Sequence, residues 1–243
     1  MARKPDPARK SPPRSANRPA PAPRVRQRRA TRPAAGAVDA PYHHGALRDA
    51  LLEAAERVLE RDGLSGLTLR AVAREAGVSH AAPSHHFGDL TGLVSELAAI
   101  GFKHFNAVMA AAGDAAASPV DKAMARARAY VGYAQAHPGM YGVMFRTERL
   151  DMSRPSLCEA ANASFAGLAG AIGASRNEQI SETALSLEQA AAIARAWSLV
   201  HGFTMLLLDD RLSDILRRLP KGTSAEALLD AMLRLAAARP PGA

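Results

Sequence analysis

The chain has 243 residues, and its apolar content of 48% is enough to build the core of one or two domains. Only eleven residues are aromatic, helical periodicity recurs along the chain and strand-type alternation is hard to find, so we expect an all-α protein. The sequence contains no run of about 18 uncharged apolar residues, which argues against a membrane span. The single cysteine excludes an internal disulfide or a cysteine zinc cluster and fits a reducing cytoplasm.

The first 41 residues carry the positive charge of the chain. They hold eleven Lys or Arg and two acidic residues, whereas the remaining 202 residues hold 20 basic and 21 acidic ones. Nine prolines and almost no large apolar side chain predict a disordered tail over residues 1–41. Two interpretations stay open. The tail is either a basic arm that contacts DNA with an affinity that falls with salt, or a dispensable extension, including one that a wrongly chosen start codon would create.

Apolar periodicity predicts a first helix from about Gly45 to Asp62, ended by Gly63. Two short helices joined by a three-residue turn should follow. Thr68 is placed to cap the first of them, and Gly77 stands where the chain must leave it with positive φ. Ser79 is the N-cap candidate of the second, which should run from about residue 80 to residue 86. This geometry is that of a DNA-binding helix-turn-helix, although an αα-corner without any role in nucleic-acid binding has the same spacing.

The same stretch resembles the DNA-binding domain of the TetR family of bacterial transcriptional regulators. The shared elements are, in order and spacing, Asp62-Gly63, Thr68, Ala76-Gly77-Val78-Ser79 and His86-Phe87. The resemblance covers about Gly45 to Phe105 and implies a three-helix DNA-binding domain over residues 42–105. Guided by it, we expect DNA contacts from Thr68, Arg70, Ser79, His80, Ala81, Ala82, Ser84, His85 and His86.

Two positions depart from the pattern that the resemblance implies. Ser84 stands where the family commonly carries a tyrosine, and Leu90 stands where a lysine often begins the next helix. Because both usual residues touch phosphates, we expect weaker anchoring to the DNA backbone, which is one reason why a basic tail would be useful.

Five of the eight histidines fall between His43 and His86. They include no His-x-x-x-His pair, and no cysteine accompanies them, so their spacing does not suit a metal site. We therefore predict no metal ion and no cofactor.

A fourth helix, capped by Asp89, should run from about Leu90 to Ala112 and lead to a second domain over residues 113–238, before a short tail at 239–243. The second domain should contain helices at Val120–Ala136, Gly139–Phe145, Arg154–Ala174, Ser186–Asp209 and Thr223–Ala238. The segments from His137 to Phe145 and from Trp197 to Gly202 resemble the TetR ligand-domain subgroup named for its Trp-His-Gly signature. This resemblance implies an effector-binding and dimerisation domain.

Two uses compete for the aromatic and methionine side chains of the second domain. They can line a pocket for a small-molecule effector, because such side chains form an adaptable surface with a few polar groups. They can also form solid core, which is the commoner role of aromatic side chains at helical spacing. The pocket hypothesis names Met109, Tyr130, Tyr133, Tyr141, Met144, Phe145, Phe165, Trp197 and His201.

The last two predicted helices have broad apolar faces that a monomer of this size should hide. These faces include Leu199, Met205, Leu206, Leu228, Met232 and Leu235. The family resemblance implies a two-fold four-helix dimer interface, and two recognition helices about 34 to 36 Å apart would enter successive major grooves. We expect a homodimer and a roughly palindromic operator in double-stranded DNA.

The leading hypothesis is a non-enzymatic transcriptional regulator, a repressor released from DNA when a small molecule shifts the distance between its recognition helices. The alternative is a helical homodimer that binds a ligand or a protein and has lost specific DNA binding, an option that Ser84 and Leu90 keep open. An all-α enzyme is the third hypothesis, and the sequence offers no phosphate loop, nucleophile elbow or catalytic carboxylate pair to support it.

Overall fold

The regular secondary structure of the described residues is helical. The computed structural model describes residues 44–145, 148, 150–181 and 183–237, and within them it contains ten α-helices and no β-strand. The prediction of an all-α protein is confirmed, whereas the predicted tails at residues 1–41 and 239–243 lie outside the described residues. The helices are α1 (His44–Gly66), α2 (Leu69–Glu75), α3 (Ala82–Phe87), α4 (Leu90–Asp114), α5 (Pro119–Ala136), α6 (Pro138–Phe145), α7 (Pro155–Arg176), α8 (Leu187–Leu208), α9 (Ser213–Leu216) and α10 (Ala225–Ala237).

The first helices begin and end at residues that the local sequence marks. α1 has non-helical dihedral angles at Gly63, with φ of 68° and ψ of −176°, so its regular part ends at this glycine. The hydroxyl of Thr68 accepts a hydrogen bond from the N–H of Ala71 at 3.1 Å, and the carboxylate of Asp89 accepts one from the N–H of Gly92 at 2.8 Å. These two side chains cap α2 and α4, as the sequence predicts.

α4 is the helix on which the N-terminal and C-terminal helices both pack. Leu93 and Leu97 are fully buried on it, and Phe102 and Phe105 are buried further along. Residues of α1, α4, α6 and α7 belong to one continuous apolar core. The helix-turn-helix end is therefore joined to the C-terminal helices by side-chain packing as well as by the chain.

A second, smaller core lies between α5, α8 and α10, and Arg128 of α5 binds Asp230 of α10 through two hydrogen bonds of 2.9 and 2.8 Å. The predicted bounds of the five C-terminal helices hold to within two residues. α9 is not predicted from the sequence, because four residues are too few to show helical periodicity. The buried residues of the smaller core are Val131, Phe203, Leu212 and Leu229.

Candidate functional site

The turn between α2 and α3 is held by a buried alanine and a glycine. Ala73 of α2 is fully buried, and its carbonyl accepts a hydrogen bond from the N–H of Val78 at 3.0 Å. Gly77 adopts a φ of 68°, which L side chains rarely adopt. Phe87, the last residue of α3, is buried in the main core. These contacts fix the two short helices in the helix-turn-helix arrangement that their spacing predicts.

α3 begins later than the sequence predicts. Its first residue is Ala82 and its N-cap is Ala81, without any capping side chain, so the prediction that Ser79 caps this helix is wrong. Pro83 explains the shift. Residues in the first helical turn donate no intrahelical hydrogen bond, so the missing N–H of a proline costs nothing there. An earlier start would place Pro83 deeper in the helix, where a hydrogen bond would be lost. The N–H of Ala82 bonds to the carbonyl of Ser79 at 3.0 Å, so a single turn precedes α3.

Most side chains predicted to contact DNA form one exposed surface, which we call the recognition surface. The ring of His86 instead lies 6.2 Å from the ring of the buried Phe87, and Ala82 is half-buried as well. DNA contact by any of these side chains stays a prediction, and the seven exposed residues are the better candidates for it. The recognition surface consists of Thr68, Arg70, Ser79, His80, Ala81, Ser84 and His85.

The recognition surface has few cations for binding a phosphate backbone. Residues in the described part of the predicted DNA-binding domain include six Lys or Arg and eight Asp or Glu. Arg57 and Arg61 both bind Glu75, at 3.0 and 2.9 Å. Arg70 and Arg74 are exposed on α2, and neither pairs with a carboxylate of the described residues. Arg74 is therefore a candidate phosphate contact that the predicted set omits. Its spacing of four residues from Arg70, which puts both on one face of α2, could have identified it from the sequence.

The two departures from the family pattern differ in structural effect. Ser84 is exposed within the recognition surface. Leu90, at the start of α4, is half-buried and packs against the main core. Leucine at this position therefore contributes to the packing of the main core and supplies no charge for a phosphate contact.

Three of the residues predicted to line an effector pocket form a hydrogen-bonded cluster. The hydroxyl groups of Tyr130 and Tyr141 lie 2.9 and 2.8 Å from Nδ1 of His201, and they lie 3.1 Å from each other. Burial lowers the pKa of His201 and raises the pKa of both tyrosines. The imidazole is therefore neutral at neutral pH, and its Nδ1 shares hydrogen bonds with the two hydroxyl groups.

The packing around this cluster is dense. Tyr133 donates a hydrogen bond to a backbone carbonyl of α4 at 3.1 Å, and burial raises its pKa to about 12. Met144 is buried, and the rings of Phe145 and Trp197 lie 4.9 and 6.0 Å from the ring of His201. Trp197 is nevertheless 48% exposed, so one side of the cluster lies near solvent.

Two surface depressions of the described residues lie away from this cluster. Met109 packs at the edge of the main core, and Phe165 is half-buried on α7. An effector pocket at the predicted residues stays a prediction. One depression, of about 190 Å³, is lined by Ala117, Pro119, Lys122, Arg126, Ala171 and Ala174, and the other, of about 220 Å³, by Asp49, Leu52, Glu53, Glu56 and Ile100.

The buried His201 predicts a pH dependence of stability. Its pKa in the folded protein lies below the ordinary value of 6.5, so between these two values the unfolded chain binds a proton that the folded chain does not. We expect full stability above about pH 6.5 and a melting temperature that falls as the pH drops toward the folded pKa. His201→Gln, which keeps an acceptor for the tyrosines, should show a shallower fall.

Thermal unfolding at about pH 7.5 and about pH 5.5 measures this difference. His80→Gln, on an exposed residue, is the matched control and should keep the wild-type pH dependence. Equal pH dependence in the wild type and His201→Gln would contradict the prediction.

An apolar face of α8, which includes Met205 and Leu206, is exposed to solvent. The helix is long and apolar enough to cross a membrane by length and composition, and most of its residues are exposed or half-buried. Exposed apolar surface of this extent is typical of an interaction site. Among the residues predicted at a dimer interface, Met205, Leu206 and Leu235 are 40%, 44% and 77% exposed, whereas Leu199, Leu228 and Met232 are half-buried.

The fold and the recognition surface define a class of protein, the helix-turn-helix regulators that carry a helical C-terminal domain. Family models agree. The model described as bacterial regulatory proteins, tetR family, matches residues 51–97, and the model described as tetracyclin repressor-like, C-terminal domain, matches residues 123–235. The chain belongs to the TetR family of DNA-binding transcriptional regulators. Membership of the Trp-His-Gly subgroup stays a prediction.

Solved structures share this fold over most of their length, whereas no curated protein sequence matches the chain. A protein of unknown function from Rhodococcus sp. RHA1 is 33% identical, with a TM-score of 0.62 over 80% of this chain and 97% of that one. The TetR-family regulator PfmR from Thermus thermophilus is 18% identical, with a TM-score of 0.51 over 76% and 97%. The fatty acid degradation regulator FadR from Bacillus halodurans is 15% identical, with a TM-score of 0.54 over 79% and 95%.

Proposed function

We propose that this TetR-family regulator is a homodimeric repressor that binds a roughly palindromic operator and leaves it when a small molecule binds. It acts in the cytoplasm without catalytic activity or a cofactor. The observation that carries the proposal is the recognition surface, in which Ser84 and His85 of α3 are exposed while Pro83 and Phe87 of the same helix are buried. A short helix held by its inner side and free on its outer side suits insertion into a major groove.

The apolar face of α8 supports a dimer. A two-fold axis through this face would make each copy cover the same exposed residues of the other, which is the rule for isologous interfaces. The two recognition surfaces would then contact half-sites separated by about one turn of DNA, which gives the operator its palindromic form.

The cluster of Tyr130, Tyr141 and His201 supports an effector site near α5, α6 and α8. It provides hydroxyl and imidazole groups inside an aromatic surround, a composition that suits recognition of a small, partly apolar molecule. Because the cluster is densely packed, binding requires these side chains to move. This movement is a route from effector binding to a change in the spacing of the recognition helices.

Selection of duplexes from a random-sequence DNA pool, with light scattering of the free protein, tests the proposal. We expect a dimer and an enriched palindrome. A reporter gene with this palindrome over its promoter should be repressed, and increased expression would identify an activator. The absence of any enriched sequence would refute specific DNA binding and favour the ligand- or protein-binding homodimer.

A further inference from the structure

A cluster of charged side chains joins the C-terminal helices to the end of α3. Arg154 is the N-cap residue of α7, and its Nη2 donates a hydrogen bond of 2.9 Å to the backbone carbonyl of Phe87, the last residue of α3. Its Nη1 lies 3.5 Å from Oε1 of Glu96 on α4. A single guanidinium at the start of α7 thus contacts both α3 and α4.

The carboxylate in this cluster is fixed by several donors. Oε2 of Glu96 accepts from Arg48 of α1 at 2.6 Å and from the hydroxyl of Ser156 on α7 at 3.1 Å. The side chain of Glu96 is only 13% exposed, so solvent screens these interactions less than it would at an open surface. The guanidinium of Arg48 also lies 5.6 Å from the ring centre of Phe87, so the cluster holds both the side chain and the carbonyl of that residue.

The segment before α7 is attached to α4 as well. The N–H of Asp151 donates to the hydroxyl oxygen of the buried Ser95 at 2.8 Å. The carboxylate of Asp151 lies 3.5 Å from Nε of Arg154, in an ion pair. Nε makes no hydrogen bond among the described residues, so Asp151 attracts the guanidinium by charge, whereas Glu96 accepts a hydrogen bond from Nη1 on the other side. Both carboxylates favour the orientation in which Nη2 reaches the end of α3.

A glycine in the first turn of α4 provides the space for this contact. A Cβ at Gly92 would lie 2.0 Å from the carbonyl oxygen of Phe87 and 2.3 Å from Nη2 of Arg154. Both distances are far shorter than van der Waals contact, so any larger residue would force the carbonyl of Phe87 and the guanidinium of Arg154 to move from their positions. The local backbone is therefore shaped for the bond between Arg154 and Phe87.

We propose that Arg154 is a positioning residue for DNA binding, which fixes the C-terminal end of the recognition helix α3 from the start of α7. α3 has only six residues, so its orientation depends on what holds its two ends. The turn at Gly77 holds the first end, whereas the buried side chain of Phe87 and the bond from Arg154 to its carbonyl hold the second. Because Arg154 is the N-cap residue of α7, a displacement of the start of α7 changes the orientation of α3. The inference rests on the DNA-binding function of the regulator.

DNA affinity in full-length variants tests this role. The probe is a labelled duplex that the wild-type protein recovers from a random-sequence pool. Arg154→Gln should bind it at least about tenfold more weakly, and Arg154→Lys should be intermediate, because an ammonium group keeps the charge but cannot reproduce the forked contacts of a guanidinium. Arg176→Gln is the matched control, since Arg176 lies at the other end of α7 and pairs with Glu178. It should bind as the wild type does.

Amide hydrogen exchange distinguishes positioning from a general loss of stability. In Arg154→Gln, exchange should become faster in residues 82–88, which form α3 and its C-cap, and remain unchanged in α1. Wild-type affinity of Arg154→Gln, or equally increased exchange in α1, would overturn the inference. If the wild-type protein recovers no duplex, specific DNA binding fails instead, and unchanged exchange in residues 82–88 of Arg154→Gln would then overturn the inference by itself.

Discussion

Removal of residues 1–40 should weaken binding of the selected duplex about 100-fold at about 0.2 M salt and reduce the slope of log affinity against log salt by about four. The segment holds eleven basic and two acidic residues, whereas the described part of the predicted DNA-binding domain holds six basic and eight acidic ones. The folded domain therefore has no general positive field to attract DNA. If about four of the eleven cations each displace a counterion from a phosphate, affinity and slope change by these amounts.

A charge-neutral control separates electrostatics from chain length. Replacing the eleven Lys and Arg of residues 1–41 by Gln keeps the segment but removes its attraction for phosphate, and the loss of affinity should equal that of the deletion. Fluorescence anisotropy at four salt concentrations measures both variants. Affinity that is unchanged at every salt concentration would show that the extension is dispensable.

Local chemistry explains why the helices could be predicted from the sequence. Thr68 and Asp89 cap α2 and α4 with bonds to residues three positions later, and Gly77 takes a positive φ where the sequence has no side chain to oppose it. Such signals involve only neighbouring residues. Where two of them compete, prediction fails, as at the start of α3, where Ser79 offers a cap but Pro83 favours a later first turn.

Contacts between distant residues explain what could not be predicted. Arg154 lies 67 residues from Phe87 and 58 from Glu96, and its neighbours in the sequence give no sign of either contact. The cluster of Tyr130, Tyr141 and His201 could be predicted only in part for the same reason. Composition identifies Tyr130 and Tyr141 as candidates, but whether they enclose a cavity depends on how tightly α5, α6 and α8 pack, which side-chain types alone do not determine.

Leu206→Glu should convert a dimer into a monomer and weaken binding of the palindromic duplex by about 100-fold or more. Leu206 is 44% exposed on the apolar face of α8 in a single copy of the chain. In an isologous interface the substitution places a carboxylate on both sides of the two-fold axis, and each would lose its water without gaining a partner. In a dimer, binding of one recognition surface to its half-site holds the other surface at a high effective concentration near the second half-site. A monomer has one recognition surface and loses this gain.

Val120→Glu provides the matched control for this charge. Val120 is 64% exposed on α5, so the substitution introduces the same carboxylate at an apolar residue outside the predicted interface. Light scattering should show a dimer for the wild type and Val120→Glu and a monomer for Leu206→Glu, with melting temperatures recorded to confirm that all three fold. A duplex with a single half-site should bind Leu206→Glu and the wild type with similar affinity, because the recognition surface itself is intact. If Leu206→Glu remains a dimer with wild-type affinity for the palindrome, this face of α8 is not the interface through which the regulator pairs.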